Sequence, residues 1–390
     1  MSLILSATFS CCSNPWHVGR SSDEIFPSDS LRLSGRTNTV AFMKTPQRTT
    51  LVFLCIFCVS STAYAWDSVG HMVVAGLAYD ELTTEQQDRL VAILKNHPKL
   101  NFITEGFPDP NIDGRDLFMA AATWPDLARS HVSKPGTTSP DDIKDNGYEE
   151  KDPAIKKVKF DGLLHRGWHF IDNPLWVGQG TPPPQLPKAP AVNAVGVVNV
   201  LITQLKSNEA DNEKAYDLGW LLHLVGDLHQ PMHVVNGISA TLPEGDRGGN
   251  LVEIKGATDD ASELHAFWDE VLGKTAPPEK APPHRPRLEK DVASADDVIA
   301  DVQKLRLNKT TDNSLDPSVW ANESLQLARR HAYDLNFIPM PVERPGESEP
   351  THKLQTTLDA QYGVGAKRDA RKQVRRAGHR LALILKDILQ

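Results

Sequence analysis

The run His223-Leu-Val-Gly-Asp227-Leu-His-Gln-Pro-Met-His233 constrains this chain more than any other segment. Residues four apart on a helix share a face, so His223 and Asp227 offer an imidazole and a carboxylate to one point. Pro231 stops that helix, and His233, just past its end, can turn back toward the same centre. A second pair with the same spacing follows at His265-Ala-Phe-Trp-Asp269. Together with Trp66, His71, Asp126 and His169 these make nine positions of zinc-ligating type, the first of which would become a new N-terminus on signal-peptide cleavage. Zinc takes three or four nitrogen and oxygen donors per site, so the set is large enough for more than one ion. A lone H-x-x-x-D says little, because most helical histidines serve the core or the surface. The joint pattern demands a fold that gathers several helix faces around metal.

The front of the chain is read apart from that fold. Met43-Lys-Thr-Pro-Gln-Arg48 is basic, Leu51 to Val59 is apolar, and Ala63-Tyr-Ala65 has the small-x-small pattern that signal peptidases cut after. Residues 43–65 are expected to be a signal peptide, residues 1–42 an upstream extension ahead of the true start, and residues 66–390 the mature domain. The apolar run is short for a bilayer, which disfavours a membrane anchor, and no later stretch is apolar enough to span one. The protein is therefore expected to be secreted or periplasmic. Cys11, Cys12, Cys55 and Cys58 all precede the cut, so the exported chain would fold without disulfides. A domain of this length can do so, and ions that bind only the folded state would add stability. The formal charge of −8 becomes −10 once residues 1–65 are removed. Such a chain is no general nucleic-acid coat, although clustered divalent cations would make a local positive site for phosphate.

From Trp66 onward the periodicity is helical. Val69, Val73 and Leu77 form one stripe, and Thr83-Thr-Glu-Gln86 has a capping-box pattern ahead of Leu90, Ile93 and Leu94. Further helices are expected over 116–127, 191–205, 214–228 and 262–272, with two or three more before the chain ends in the amphipathic Arg380–Lys386. Residues 137–152 and the proline-rich 178–190 and 276–286 are expected as loops or linkers. Asp246-Arg-Gly-Gly-Asn250 predicts a tight turn, followed by a brief strand at 251–254. The fold class is all-α: one mostly helical domain with long loops and at most a short hairpin.

Several motifs now combine. The mature chain would open Trp66-Asp-Ser-Val-Gly-His71. Trp124-Pro-Asp126 is followed by Arg129, Trp168-His169-Phe170-Ile171-Asp172 carries a His-Phe-x-Asp motif, and the His223–His233 run precedes a Gly-Gly-Asn turn and the last His/Asp pair. In these features the chain resembles the zinc-dependent, single-strand-specific nucleases with 3′-nucleotidase activity, the S-one/P-one or type I nucleases, over essentially all of the mature chain. The resemblance implies a helical fold of the phospholipase C and P-one nuclease type and three zinc ions (Zn2+). Asp126, His169, His223 and Asp227 would hold the first, and His233, His265 and Asp269 the second. The amine and carbonyl of Trp66 with His71 would hold the third, bridged to the first by Asp227.

The same resemblance gives Asp126 the attacking water and Arg129 the non-bridging phosphate oxygens. Phe170 would stack on the base 5′ to the scissile phosphate and Asp172 would meet its edge, while Asn250 contacts substrate or fixes its turn. Implied substrates are single-stranded DNA and RNA and 3′-nucleotides, cut to 5′-phosphorylated products by a monomer without a stable protein partner. His165 and His229 fall outside the ligand pattern. Zinc-dependent phospholipase C is the nearest rival, but it carries Glu where this chain has Asp269, and its first His lies further from the terminal Trp. A zinc-storage protein would need none of Arg129, Phe170 and Asp172.

Overall fold

Two helices that are apolar on nearly every side form the middle of the fold. The first, α1 (Ser68–Asp80), begins where the Asp67 carboxylate accepts from the amide of Ser68, and every residue from Val69 to Ala78 is buried. The other, labelled α6 in chain order (Asp211–His229), is buried from Ala215 to His229. A helix apolar all round belongs to the interior, so any His or Asp it carries is held away from water. The computed structural model describes residues 66–104, 107, 111–127, 165–256, 261–273, 288–342 and 351–390. The expected signal peptide, the upstream extension, the loop at 137–152 and the linker at 276–286 lie outside the described residues.

Shorter helices surround this pair. They are α2 (Thr84–Leu94), α3 (Leu100–Thr104), α4 (Gly114–Ala121), α5 (Ala194–Leu205), α7 (Leu264–Glu270), α8 (Leu288–Val302) and α9 (Pro317–Leu327). The long α10 (Ala360–Ile388) closes the chain. Thr83 and Gln86 form the expected capping box in both directions. The expected helix over 116–127 is divided instead: α4 stops at Ala121, and a separate helical turn runs over 124–127. Pro125 has no N–H to give the carbonyl four residues back, so a continuous helix would lose that bond.

Strand content exceeds the single hairpin expected. β1 (Asn173–Trp176) pairs in parallel with β2 (Val235–Ile238), with α5 and α6 making the crossover that parallel pairing requires. β5 (Thr351–Leu358) lies between β3 (Val252–Gly256), to which it is parallel, and β4 (Ile338–Val342), to which it is antiparallel. These strands are short and the domain is mostly helical. One hydrophobic core runs from Trp66 to Leu389. Among the described residues no helix is long and apolar enough to cross a membrane.

The C-terminal helix α10 also secures the end of α6, where a helix leaves carbonyls without intrahelical donors. Gln373 Nε2 donates to the carbonyl of His229 at 2.9 Å, and Ser324 Oγ donates to that of Leu228 at 2.7 Å. The tip of the central helix is thus fixed by groups remote in sequence, immediately before the turn that delivers His233.

Candidate metal centre

Four donor atoms converge inside the domain. His169 Nδ1 lies 3.1 Å from Asp227 Oδ2 and 3.1 Å from His223 Nε2, and His223 Nε2 lies 3.3 Å from Asp227 Oδ2. Asp126 Oδ1 stands 3.8 Å from each of these imidazole nitrogens. Donors at 2.0–2.1 Å around a tetrahedral zinc are about 3.3 Å apart, so the observed separations suit one ion of that size. Asp227 turns its other oxygen, Oδ1, toward His71 Nε2 at 3.5 Å, and Asp126 Oδ2 approaches the same nitrogen at 3.9 Å. Asp227 therefore faces a donor group on each side, the geometry a bridging carboxylate needs.

The imidazoles are oriented by the backbone. His223 Nδ1 donates to the carbonyl of Ala122 at 2.8 Å, His233 Nδ1 to that of His169 at 2.9 Å, and His265 Nδ1 to that of Gly248 at 2.6 Å. A ring that gives its Nδ1 proton to a carbonyl keeps the Nε2 lone pair for a metal. Burial alone would push the His223 pKa down, but the nearby carboxylates of Asp227 and Asp126 turn the shift upward. The pocket thus attracts positive charge, and its donor set fits a divalent cation.

A third group joins His233, His265 and Asp269, all buried. His265 Nε2 is 3.4 Å from Asp269 Oδ2 across one turn of α7. The other Asp269 oxygen accepts from Gln230 Nε2 at 2.5 Å, and Gln230 Oε1 accepts from the amide of Met232. Gln230 thus aims Asp269 while shaping the turn that carries His233. Opposite it, Gly248 and Gly249 adopt φ of 62° and 84°, and a Cβ on Gly248 would sit 2.5 Å from the carbonyl of Met232. Glycine is required there, and it brings the Gly248 carbonyl to His265. Fully buried Asp246 holds this turn, accepting from the amides of Gly237 and Gly249 and from the Tyr333 hydroxyl. Burial pushes its pKa up to about 6. Gln230 lies inside the His223–His233 run and Asp246 opens the 246–250 turn, but residue type alone does not reveal these roles.

Trp66 is fully buried, and its indole N–H donates to the carbonyl of Gly226 at 3.0 Å. Gly226 lies between His223 and Asp227, and a Cβ there would stand 2.9 Å from His71 Nδ1. The amide of Asp67 donates to the carbonyl of Asp269 at 3.1 Å. The segment from Trp66 to His71 is therefore clasped between the helices carrying both i, i+4 pairs.

The remaining expected residues divide. Phe170 is half-buried, with its ring 4.7 Å from that of His233 and 6.4 Å from that of His265. Asp172 has a left-handed φ of 54°, and burial raises its pKa. The Asn250 side chain donates to the carbonyl of Arg247, within its own turn, at 2.7 Å. Arg129 lies outside the described residues. His165 stacks on Trp168 at 3.7 Å and shares a hydrogen bond with the Tyr216 hydroxyl, and burial lowers its pKa to about 3. His229 bonds the carbonyl of Val225 and the Arg380 guanidinium, away from the donor groups.

A mostly helical domain that buries three adjoining His/Asp groups has donor sets of the kind that hold metal ions. The sequence profile of the family described as S1/P1 Nuclease matches residues 66–390, and the chain belongs to that family. Endonuclease 2 of Arabidopsis thaliana is 32% identical over 148 residues, a stretch covering 35% of this chain and 47% of that protein. The chain thus spans about half the length of the curated relative it matches.

Proposed function

We propose that this protein is an exported, zinc-dependent endonuclease that hydrolyses single-stranded DNA and RNA to 5′-phosphorylated products and also removes phosphate from 3′-nucleotides. The observation that carries this reading is the placement of the two Asp227 oxygens, one toward His169 and His223 and the other toward His71. Family membership and the third donor group beneath Phe170 support it.

Zinc would be held by Asp126, His169, His223 and Asp227, by His233, His265 and Asp269, and by His71 with the freed amine of Trp66. When bound, it supplies the positive charge that polarises a phosphodiester and acidifies the attacking water. Asp126 has one oxygen toward each neighbouring donor group and would accept a hydrogen bond that aligns that water. Phe170 takes the unpaired base, leaning on the His233 and His265 rings, and Asp172 meets the base edge. Arg129 brings a fork of donors to the non-bridging oxygens. A base inside a duplex cannot reach such a platform, which accounts for the single-strand preference.

The test is to express the chain with residues 43–65, establish the N-terminal residue of the exported product, and assay single-stranded DNA, RNA and a 3′-mononucleotide with zinc or chelator. Zinc-dependent release of 5′-nucleotides, lost when one residue is added before Trp66, is the expected result. A zinc-loaded protein inert toward all three substrates would overturn the reading.

A further inference from the structure

The β1–β2 pair carries a groove that the metal centre does not use. Its volume is about 730 Å3, and its lining includes Trp176, Gln185, Leu186, Lys188, Ile238 and Ser239. Side chains alternate along a strand, so Pro174 and Trp176 lie opposite Leu175, which packs on the main core. Trp176 and its register partner Ile238 are not members of that core, although Ile238 is almost fully buried. The main core therefore does not account for a tryptophan at this place. Its ring is nonetheless fixed: Trp176 Nε1 donates to the carbonyl of Gly180 at 3.2 Å. The space beside it is kept open by Gly178, where a Cβ would stand 2.9 Å from Trp176 Cζ2 and 3.2 Å from Ser239 Cα.

The groove is continuous with the candidate centre through the backbone. β1 starts at the residue after Asp172, and β2 starts two residues after His233. Trp176 thus lies about 13 Å of extended strand beyond Asp172. Lys188 adds an exposed cation to the groove of a chain whose overall charge is negative. We propose that this groove is a second base-binding subsite for the same single strand, with an unpaired nucleobase stacked on Trp176, its polar edge toward Gln185 and its phosphate near Lys188. The inference rests on the nuclease reading. Stacking accepts every base, so such a subsite lengthens the grip on a strand without selecting sequence.

The experiment compares zinc-loaded wild type with Trp176→Ala, Trp176→Phe and Lys188→Gln. It measures kcat and KM on a thymidine octamer and on a 3′-mononucleotide, and the anisotropy of a labelled phosphorothioate octamer. Trp176→Ala is expected to raise KM and Kd for the octamer about tenfold and to leave mononucleotide hydrolysis unchanged, with Trp176→Phe restoring most of the loss. Lys188→Gln should reduce the slope of log Kd against log salt by about one. If Trp176→Ala matches wild type on the octamer, or loses equally on both substrates, the subsite is overturned while wild-type hydrolysis leaves the nuclease reading standing. If wild type cleaves neither substrate, the nuclease reading falls and anisotropy decides the groove. Octamer binding that depends on Trp176 then supports it, and binding indifferent to Trp176, or absent, overturns it.

Discussion

Arg380 donates to Nε2 of His229 across 2.9 Å in a fully buried contact, with the proton of His229 on Nδ1, bonded to the carbonyl of Val225. The same guanidinium forks onto both oxygens of Glu323, at 2.8 and 3.1 Å. One arginine of α10 therefore neutralises a carboxylate, fixes a histidine and steadies the end of the helix that bears His223 and Asp227. Arg380→Met leaves Glu323 uncompensated and is expected to cost about 3 kcal/mol in urea unfolding. Adding Glu323→Leu should recover part of that loss, because the stranded charge goes with it.

Gln230→Ala removes the donor that aims Asp269 without removing a ligand. Groups that orient metal ligands typically change affinity 10–100-fold, so zinc retained after dialysis against a weak chelator should fall. Unfolding by urea should change far less than zinc content. An unchanged zinc content would show that Asp269 needs no such guide.

Gly226→Ala gains about 1 kcal/mol in helix propensity, yet its Cβ would enter the space of His71 Nδ1. Activity on single-stranded DNA is expected to drop more than tenfold, since a displacement of about 1 Å within a reacting site costs on the order of 100-fold. Circular dichroism should still report a helical fold.

Asp227→Asn removes the negative charge shared between the two donor groups. Chelator should lower the Tm of wild type, because ligand present at 100 times its Kd contributes about 2.7 kcal/mol. The variant should show a much smaller chelator effect and no hydrolysis. Equal chelator shifts in the two proteins would sink the bridging role.

Glu81 follows the last turn of α1 and faces α10. Burial would raise its carboxyl, but hydrogen bonds from His379 and Arg375 outweigh that and hold it at about 2, against an ordinary 4.5. A depressed carboxylate stabilises the fold fully above about pH 4.5, and that stabilisation is lost as pH falls toward 2. Glu81→Gln in metal-free protein should cost about 1–3 kcal/mol at pH 7, after allowing for partial exposure. The difference from wild type should vanish near pH 2 in urea titrations.

The helices were readable where a cap or an i, i+4 pair marked them, as at Thr83, His223 and His265. Of the strands, β3 was anticipated at 251–254 and the other four were not. β4 reads Ile-Pro-Met-Pro-Val, and proline argues against a strand except at an edge, which is where β4 lies. β1 is four residues long and includes Pro174, so period-two alternation has no room to register. The donor residues were legible by type, and the structure brings the His and Asp candidates into three buried groups. Gln230 and Asp246 were harder to assign because amides and carboxylates have many uses. Their partners, Asp269 and Tyr333, lie far along the chain and are named only by the folded geometry.

The clasp at the start of the domain changes what it means for this chain to unfold. Trp66 touches the backbone of α6 160 positions away, and Asp67 that of α7 at Asp269. An ion shared by His71 and Asp227 would tie that span shut as a disulfide ties a secreted domain. A permanent link across such a loop corresponds to about 5 kcal/mol of denatured-state entropy. The residues from Trp66 onward contain no cysteine, so coordination would serve them as a cross-link that forms only once both ends of the path have folded.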